Sequence, residues 1–278
     1  MRICLMIEGQ EGVTWEQWLV LARTCEESGI EALFRSDHYL SVQGHPERSS
    51  LDAWSTIAAL AAVTEKLRLG TLVSPVTFRH PALLAKAVVT ADHISGGGRI
   101  ELGMGAGWHE PEHTAYGFPF PPTRVRMRML AEQLELVRRQ WEEGPFSFEG
   151  EHYRVRDLDA QPKPLERPRL ILGGRGGPRS LELAARHADE YNVFHMTPDQ
   201  CAEVRAGLDR ACERIGRDPQ TLPLSLMNPV ERGPLEQVAE GLREYERAGV
   251  VRVMAQHLEH ADLKTVEWLG REVAPAVA

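Results

Sequence analysis

Eight times along this chain a short run of aliphatic or β-branched residues gives way to a longer segment with helical spacing. The runs are Ile3–Ile7, Glu31–Phe34, Leu67–Val73, Arg99–Gly103, Arg169–Leu172, Asp189–Phe194, Pro223–Met227 and Val250–Ala255. The helical segments that follow them are Thr14–Ser28, Asp52–Thr64, Pro81–Ile94, Thr123–Trp141, Arg179–His187, Pro198–Ile215, Pro234–Ala248 and Ala261–Val273. Their ends carry helix punctuation: Thr14 as a capping residue, Gly29 and Gly96 just past two ends, and Pro81 in a first turn. Strands separated by helices run parallel, because each crossover lays its helix outside the sheet. Eight such units at similar spacing predict a closed (β/α)8 barrel, the TIM-barrel architecture, over an open doubly wound sheet. Residues 144–168 break the beat, and their alternation predicts a surface hairpin inserted after the fourth unit. No linker or low-complexity tract divides the chain, so residues 1–278 read as one domain.

Charge narrows the partners. With 32 basic and 40 acidic side chains the net charge is −8 and there is no basic tail, which argues against nucleic acid and anionic lipid. The apolar run Met1–Ile7 is too short to span a bilayer and has no cleavage site. Cys4, Cys25, Cys201 and Cys212 form no CxxC pair and read as reduced core thiols, so a cytoplasmic location is expected.

In a barrel of this kind the chemistry belongs at the carboxyl ends of the strands. The junctions there hold Glu8-Gly9, Ser36-Asp37-His38, Val73-Ser74-Pro75, Gly105-Ala106-Gly107-Trp108-His109, Gly173–Gly177, His195, Met227-Asn228 and Gln256-His257. Asp37-His38 is the sharpest acid/base signal, a histidine beside a carboxylate at the rim. His195 and His257 share the rim but lack a partner in sequence. Neither glycine run is a dinucleotide fingerprint, since Trp108 and Arg179 stand where the last glycine of GxGxxG would be, and no P-loop lysine follows. The turn Gly173–Ser180 opens a helix, so the amides of Gly176 and Gly177, Arg179 and the Ser180 hydroxyl suit a phosphate; a purely structural turn is the alternative. The stretch His109–His113 matches HExxH literally. A zinc site is rejected, because Pro111 disfavours helix at Glu110 and leaves His109 outside any helix that starts at Pro111. No metal is expected.

Four blocks, CEESGIEALFRSDHYL (25–40), LRLGTLVSPVTFRHPALLAK (67–86), DHISGGGRIELGMGAGWHEPEHTAYGFPFPP (92–122) and RLILGGRGGPRSLELAARHADEYNVF (169–194), resemble the luciferase-like monooxygenase superfamily of flavin and deazaflavin oxidoreductases. They occur in family order and cover most of residues 1–195. The subgroup resembled is the one that uses coenzyme F420, an 8-hydroxy-5-deazaflavin, with FMN the alternative. The resemblance implies His38 beside the reactive face of the ring, with Asp37 its acidic neighbour. It implies a ring-backing segment at Leu72, Val73 and Ser74, with a non-proline cis peptide at Leu72–Val73. Ala106, Gly107 and Trp108 would lie beside the coenzyme, and Gly176, Gly177, Arg179 and Ser180 around its phosphate. Some sugar-phosphate dehydrogenases of the family carry a catalytic glutamate where this chain has Trp108. Their two-residue scheme is therefore not carried over, and no second carboxylate is expected to stand in for His38. The function implied is hydride transfer between deazaflavin and a small organic substrate, in a homodimer. The alternatives are an FMN-dependent monooxygenase with a separate reductase, a coenzyme carrier without catalysis, and a metal-dependent hydrolase.

Overall fold

The computed structural model describes residues 1–278. In chain order the elements are β1 (Arg2–Ile7), α1 (Trp15–Ser28), β2 (Ala32–Arg35), α2 (Ala53–Val63), β3 (Arg68–Pro75), α3 (Pro81–Ser95), β4 (Ile100–Gly105), α4 (Glu110–Tyr116), α5 (Thr123–Trp141), β5 (Phe146–Glu149), β6 (Arg154–Leu158), β7 (Arg169–Gly173), α6 (Pro178–His187), β8 (Glu190–Phe194), α7 (Pro198–Glu213), β9 (Leu224–Pro229), α8 (Leu235–Arg247), β10 (Val250–Gln256) and α9 (Leu263–Trp268). Eight parallel strands close in the order β1-β10-β9-β8-β7-β4-β3-β2. This is a TIM barrel, and the sheet has no edge for another chain to extend. The closing helix is shorter than its periodicity predicts: beyond Trp268 the backbone turns into a π-helical stretch, Leu269–Val273.

Local signals set the helix ends. Thr14 and Gln17 form a reciprocal capping box at the start of α1, and Gly29 ends it with φ 88°. The insertion is the expected hairpin, β5 paired antiparallel with β6. It is fastened to α5 by one carboxylate, since Glu132 accepts the backbone amides of Glu151, His152 and Tyr153. The unexpected element is α4, a second helix in the fourth unit.

The core has two shells. Outward-facing strand residues pack against the helices, while Cys4, Met6, Ala32, Phe34, Leu72, Ile171 and Met254 fill the barrel axis. Toward the amino-terminal face the filling becomes ionic. Arg252, fully buried, donates to Glu101 at 2.8 Å and Glu190 at 3.1 Å and lies over the Phe34 ring. Arg68 and Arg169 reach the same two carboxylates from the outside. Arg252 also donates to Cys4 Sγ at 3.1 Å, and burial still pushes that thiol up to about 12, so it stays un-ionised. The cleft at this face, 380 Å³ in volume, is lined by Arg68, Arg167 and Arg169, each already paired with a carboxylate. The network thus seals one end and leaves the other for chemistry.

At the open end, β3 gains one residue relative to β4 between Thr71 and Ser74, and the peptide Leu72–Val73 is cis, as the resemblance implies. The extra residue brings Val73 against Gly103, Gly105 and Gly173, where a Cβ would approach Val73 methyls to between 2.6 and 3.0 Å. Glycine at these three positions makes room for the bulge.

Removing one partner of a buried ion cluster leaves the others uncompensated. Arg252→Leu is expected to lower unfolding stability by ~3–5 kcal/mol in urea titration. A loss below ~1 kcal/mol would show that the barrel floor does not depend on this guanidinium.

Candidate active site

Strand alternation decides which way the rim residues point. Along β2, Ala32 and Phe34 face the axis, whereas Leu33 packs outside and Arg35 donates to Thr56 and the Leu51 carbonyl around α2. The same parity continues past the strand. Asp37 turns outward, where it accepts from Ser74 Oγ at 2.6 Å and pairs with Arg79. Trp54 Nε1 donates to the same Ser74 hydroxyl, and Arg79 reaches Asp52 and Tyr39 as well. His38 therefore does not pair with the carboxylate beside it in sequence. The expected Asp37-His38 pair is corrected: neighbouring residues on an extended backbone face opposite ways. Asp37 Oδ1 is buried and has no hydrogen-bond partner.

The carboxylate that meets His38 is Glu112, from α4. Its Oε1 lies 2.6 Å from His38 Nδ1, and its Oε2 accepts the Tyr39 amide at 2.9 Å. Glu112 is 0% exposed. So a second carboxylate does stand at His38, four residues beyond the position where the sequence comparison looked for one. His38 Nε2 makes no hydrogen bond and is not among the buried unpaired atoms, so it faces the open rim. Burial by itself would lower the His38 pKa, but the hydrogen bond and charge of Glu112, with Glu8 and Asp37 behind it, raise it above the ordinary histidine value. Trp108, 64% exposed, presents its ring edge-on to His38 at 5.7 Å, and His109 does so at 5.9 Å.

Helix α4 explains why Glu112 is where it is. His109 precedes the helix, Pro111 occupies the first turn where no amide partner is lost, and Glu112 follows. The helix starts at Glu110, one residue before the expected limit, and His109 is outside it as expected. Both ring nitrogens of His113 are engaged: its Nδ1 donates to the His109 carbonyl at 2.7 Å, and its Nε2 meets Thr77 Oγ1 at 2.6 Å.

Farther round the rim a chain of polar groups runs from β2 through β1 to β10 and β8. Ser36 bonds to Gln10, Gln10 donates to Glu8, Gln256 Nε2 donates to Glu8, and Gln256 Oε1 accepts from His195 Nε2 at 2.9 Å. His195 sits at φ 50°. His257 is turned to the Asp262 carbonyl instead.

On the other side of His38, strand order puts β3 and β4 between β2 and β7. Three strand spacings separate His38 from the glycine turn, roughly 14 Å. Across that interval lie Leu72 and Val73 of the bulge, Ser74 behind them, then Ala106 and Gly107, the latter with φ 79° beside Pro75 and Thr77. At the far end the Gly176 amide donates to Tyr191 Oη, and the Ser180 hydroxyl donates to the Gly177 carbonyl and touches Tyr191 Oη. Arg179 is exposed and paired with Glu182 on its own helix. What stays open is backbone: the first bond of α6 runs from Leu181 to Gly177, leaving the amides of Arg179 and Ser180 without helical partners. Gly177 is exposed, with φ −67°.

The sequence profile of the luciferase-like monooxygenase family matches residues 3–230. The chain belongs to this family. Among relatives of this luciferase-like chain is the pyrimidine monooxygenase RutA of Acinetobacter baylyi, 30% identical over 79% of this chain and 56% of that protein. Another is the F420-dependent glucose-6-phosphate dehydrogenase of Kineococcus radiotolerans, 35% identical over 72% of this chain and 60% of that protein. The chain thus spans less than two thirds of the length of either. In fold it superposes on an F420-dependent secondary alcohol dehydrogenase solved with an F420-acetone adduct, with a TM-score of 0.85 at 18% identity over the whole of both chains. These relatives are oxidoreductases and monooxygenases by name.

In this luciferase-like rim the long connection from His38 to Asp52 is itself anchored. Buried Glu11 accepts from Ser41 Oγ, the Val42 amide and Arg48. Burial opposes its charge, but those three donors together lower its pKa. A lowered folded pKa gives stability that is present above the ordinary carboxylate value and lost as pH falls through the folded one. Limited proteolysis within 41–48 is therefore expected to accelerate as pH falls below the ordinary glutamate value of ~4.3 and, in Glu11→Gln, at neutral pH too. Equal cleavage rates in the two proteins at pH 7 would show that Glu11 does not hold the loop.

Proposed function

We propose that the protein is a coenzyme F420-dependent oxidoreductase that moves a hydride between the deazaflavin and a small organic substrate, with His38 handling the accompanying proton. The observation that carries this reading is the His38 imidazole, with Nδ1 clamped by a buried carboxylate and Nε2 open at the barrel rim. Such a group is built to exchange a proton with whatever lies above it. Similarity to an F420-dependent dehydrogenase supports the choice of coenzyme.

The residues present fit a flat coenzyme whose side chain carries a phosphate. Backbone without side chains lies at Gly105 and Gly107, the bulge at Val73 rises between His38 and the glycine turn, and unpaired amides wait at the start of α6. When bound, the deazaflavin supplies a carbon that gives or takes a hydride. The chain's own tasks are to back the ring with Leu72, Val73 and Ser74, to hold the phosphate with the amides of Gly177, Arg179 and Ser180, and to keep His38 oriented. Trp108 offers an uncovered aromatic face beside His38 for the substrate or ring.

Titrating the purified protein with F420 and with FMN, followed by coenzyme fluorescence, tests the reading; tight binding of FMN alone would replace it with an FMN-dependent monooxygenase. Gly177 gives a clean probe of the phosphate turn. A Cβ there meets nothing nearer than Ser180 Oγ at 4.0 Å, whereas Gly176 has φ 77° and a Cβ would press Val204 at 2.7 Å. Gly177→Leu is expected to fold normally and raise the coenzyme Kd tenfold or more, about 1.4 kcal/mol. His38→Ala should keep coenzyme affinity and lose roughly 10²–10⁴-fold in turnover. Near-normal turnover of the folded variant would remove His38 from the mechanism.

A further inference from the structure

Every hydrogen in the polar chain on the far side of the rim points toward Glu8. The Gly9 amide donates to Ser36 Oγ, Ser36 donates to Gln10 Oε1, and Gln10 Nε2 donates to Glu8 Oε2 at 2.9 Å. From the other side Gln256 Nε2 donates to Glu8 Oε1 at 2.8 Å. A carboxylate only accepts, so it fixes which end of each amide faces it. Gln256 must then turn its carbonyl oxygen to His195, and His195 Nε2, 2.9 Å away, must carry the hydrogen. In the neutral ring this leaves Nδ1 as a bare acceptor, and no group of the protein bonds to it.

The backbone decides where that acceptor stands. Alternation turns Met6 and Glu8 of β1, and Met254 and Gln256 of β10, toward the axis. On β8, Asn192 reaches Ser225 and Met254 inside the barrel, so Phe194 faces the mouth as well. On a continuing strand the next residue would face outward. His195 instead takes φ 50°, and its ring turns back across the end of β9 to meet Gln256. Histidine is among the residues enriched in this left-handed conformation. Strand β8 is four positions from β2 on a ring of eight, so His195 and His38 stand on opposite sides of the mouth. The neighbouring charges limit what can approach. Arg175 lies over the Phe194 ring at 4.9 Å and disfavours an ammonium group, and Glu8 disfavours a carboxylate or phosphate.

We propose that His195 binds the substrate, its Nδ1 accepting a hydrogen bond from an uncharged hydroxyl or N–H group, and that Glu8 and Gln256 are positioning residues that hold it in the accepting tautomer. The inference rests on the reading of this mouth as the active site, with the reacting carbon beside His38. The substrate is then bifunctional. One end gives or takes the hydride, and the other carries a hydrogen-bond donor well away from the reacting carbon, across the mouth. A site built to accept a hydrogen rejects the analogue without one, because the covered acceptor is left unpaired. A methyl ether in place of the remote hydroxyl keeps the oxygen and loses the hydrogen, so it separates recognition by His195 from recognition by the Arg175 guanidinium, which only donates.

Two measurements test it. Ring ¹⁵N NMR of His195, assigned by its loss in His195→Gly, reads the tautomer without coenzyme or substrate. Well above the ring's own titration midpoint the wild type is expected to show hydrogen on Nε2 alone. In Glu8→Gln, whose amide can give or take, the two tautomers should mix. Hydrogen on Nδ1 in the wild type, or a tautomer unmoved in folded Glu8→Gln, overturns the proposal. The second measurement is calorimetric titration of the protein loaded with oxidised F420 with benzyl alcohol, 4-(hydroxymethyl)benzyl alcohol and the mono-methyl ether of that diol. The diol is expected to bind about tenfold tighter than the other two, as one well-placed hydrogen bond allows. In His195→Gly, where glycine suits the positive φ, the preference should vanish, and thermal unfolding checks that the variant folds. A histidine with a merely structural role would change the melting temperature and leave the preference intact. Equal binding of the three compounds, an ether that binds as tightly as the diol, a preference that survives in His195→Gly, or no binding of the diol overturns the proposal. Failure of F420 to bind defeats the coenzyme reading instead, and the tautomer together with the same titrations on FMN-loaded protein then judges His195 by itself.

Discussion

Strand β1 is hydrogen-bonded to β10 on one side and to β2 on the other, and everything at the rim follows from that closure. A closed parallel barrel brings eight strand ends to one circle, so residues far apart in the chain become neighbours. His38 meets Glu112 across 74 positions, and Glu8 meets Gln256 across 248. Closure also creates an interior that must be filled, and the chain fills it unevenly. Apolar side chains occupy the middle, and the Arg252 cluster occupies the amino-terminal end. The polar, glycine-rich end is left for a ligand.

The loops at that end cannot rely on apolar packing, since many of their residues face water or a ligand. They are held by carboxylates, two of which, Glu11 and Glu112, are buried. Glu11 gathers three positions of the β2–α2 connection, Ser41, Val42 and Arg48, Glu112 gathers His38 and Tyr39, and Glu132 gathers three amides of the hairpin. Each is a set of charge-assisted bonds; at Glu11 and Glu112 they lie in a place with little water, where such bonds are strong and their loss is expensive. An aromatic group of Tyr39, Phe78, Tyr116 and Phe118 closes over the outside of α4 and keeps it against the barrel.

The eight-unit rhythm could be read from the residues because alternation and capping are local. Thr14, Gly29 and Gly96 sit in the conformations their types favour, and the hairpin lies within the segment whose alternation announced it. Placement of His38 at the rim was legible for the same reason. Its partner was not. Glu112 belongs to a seven-residue helix too short to show a periodic face, inside a stretch whose histidines drew attention to metal binding. Pairing between loops of different strands depends on closure, which leaves no mark on neighbouring residues. One signal was available: a glutamate and a proline directly after a glycine turn suit the first turn of a helix. The turn at 174–180 was legible as a ligand-facing helix start. The engagement of Gly176 and Ser180 with Tyr191 was not, since it depends on a tyrosine of the next strand.

Helix α4 lies outside the barrel's repeating plan, between two glycines at 107 and 117 that both take positive φ. The histidine is carried by the barrel, and the group that governs its acidity is carried by this small insert. The two can therefore change separately. Replacing residues 108–118 would alter how readily the rim gives up a proton while leaving the strands, and with them the seat of any ring bound above them, in place. One scaffold can in this way serve substrates of quite different basicity by exchanging eleven residues.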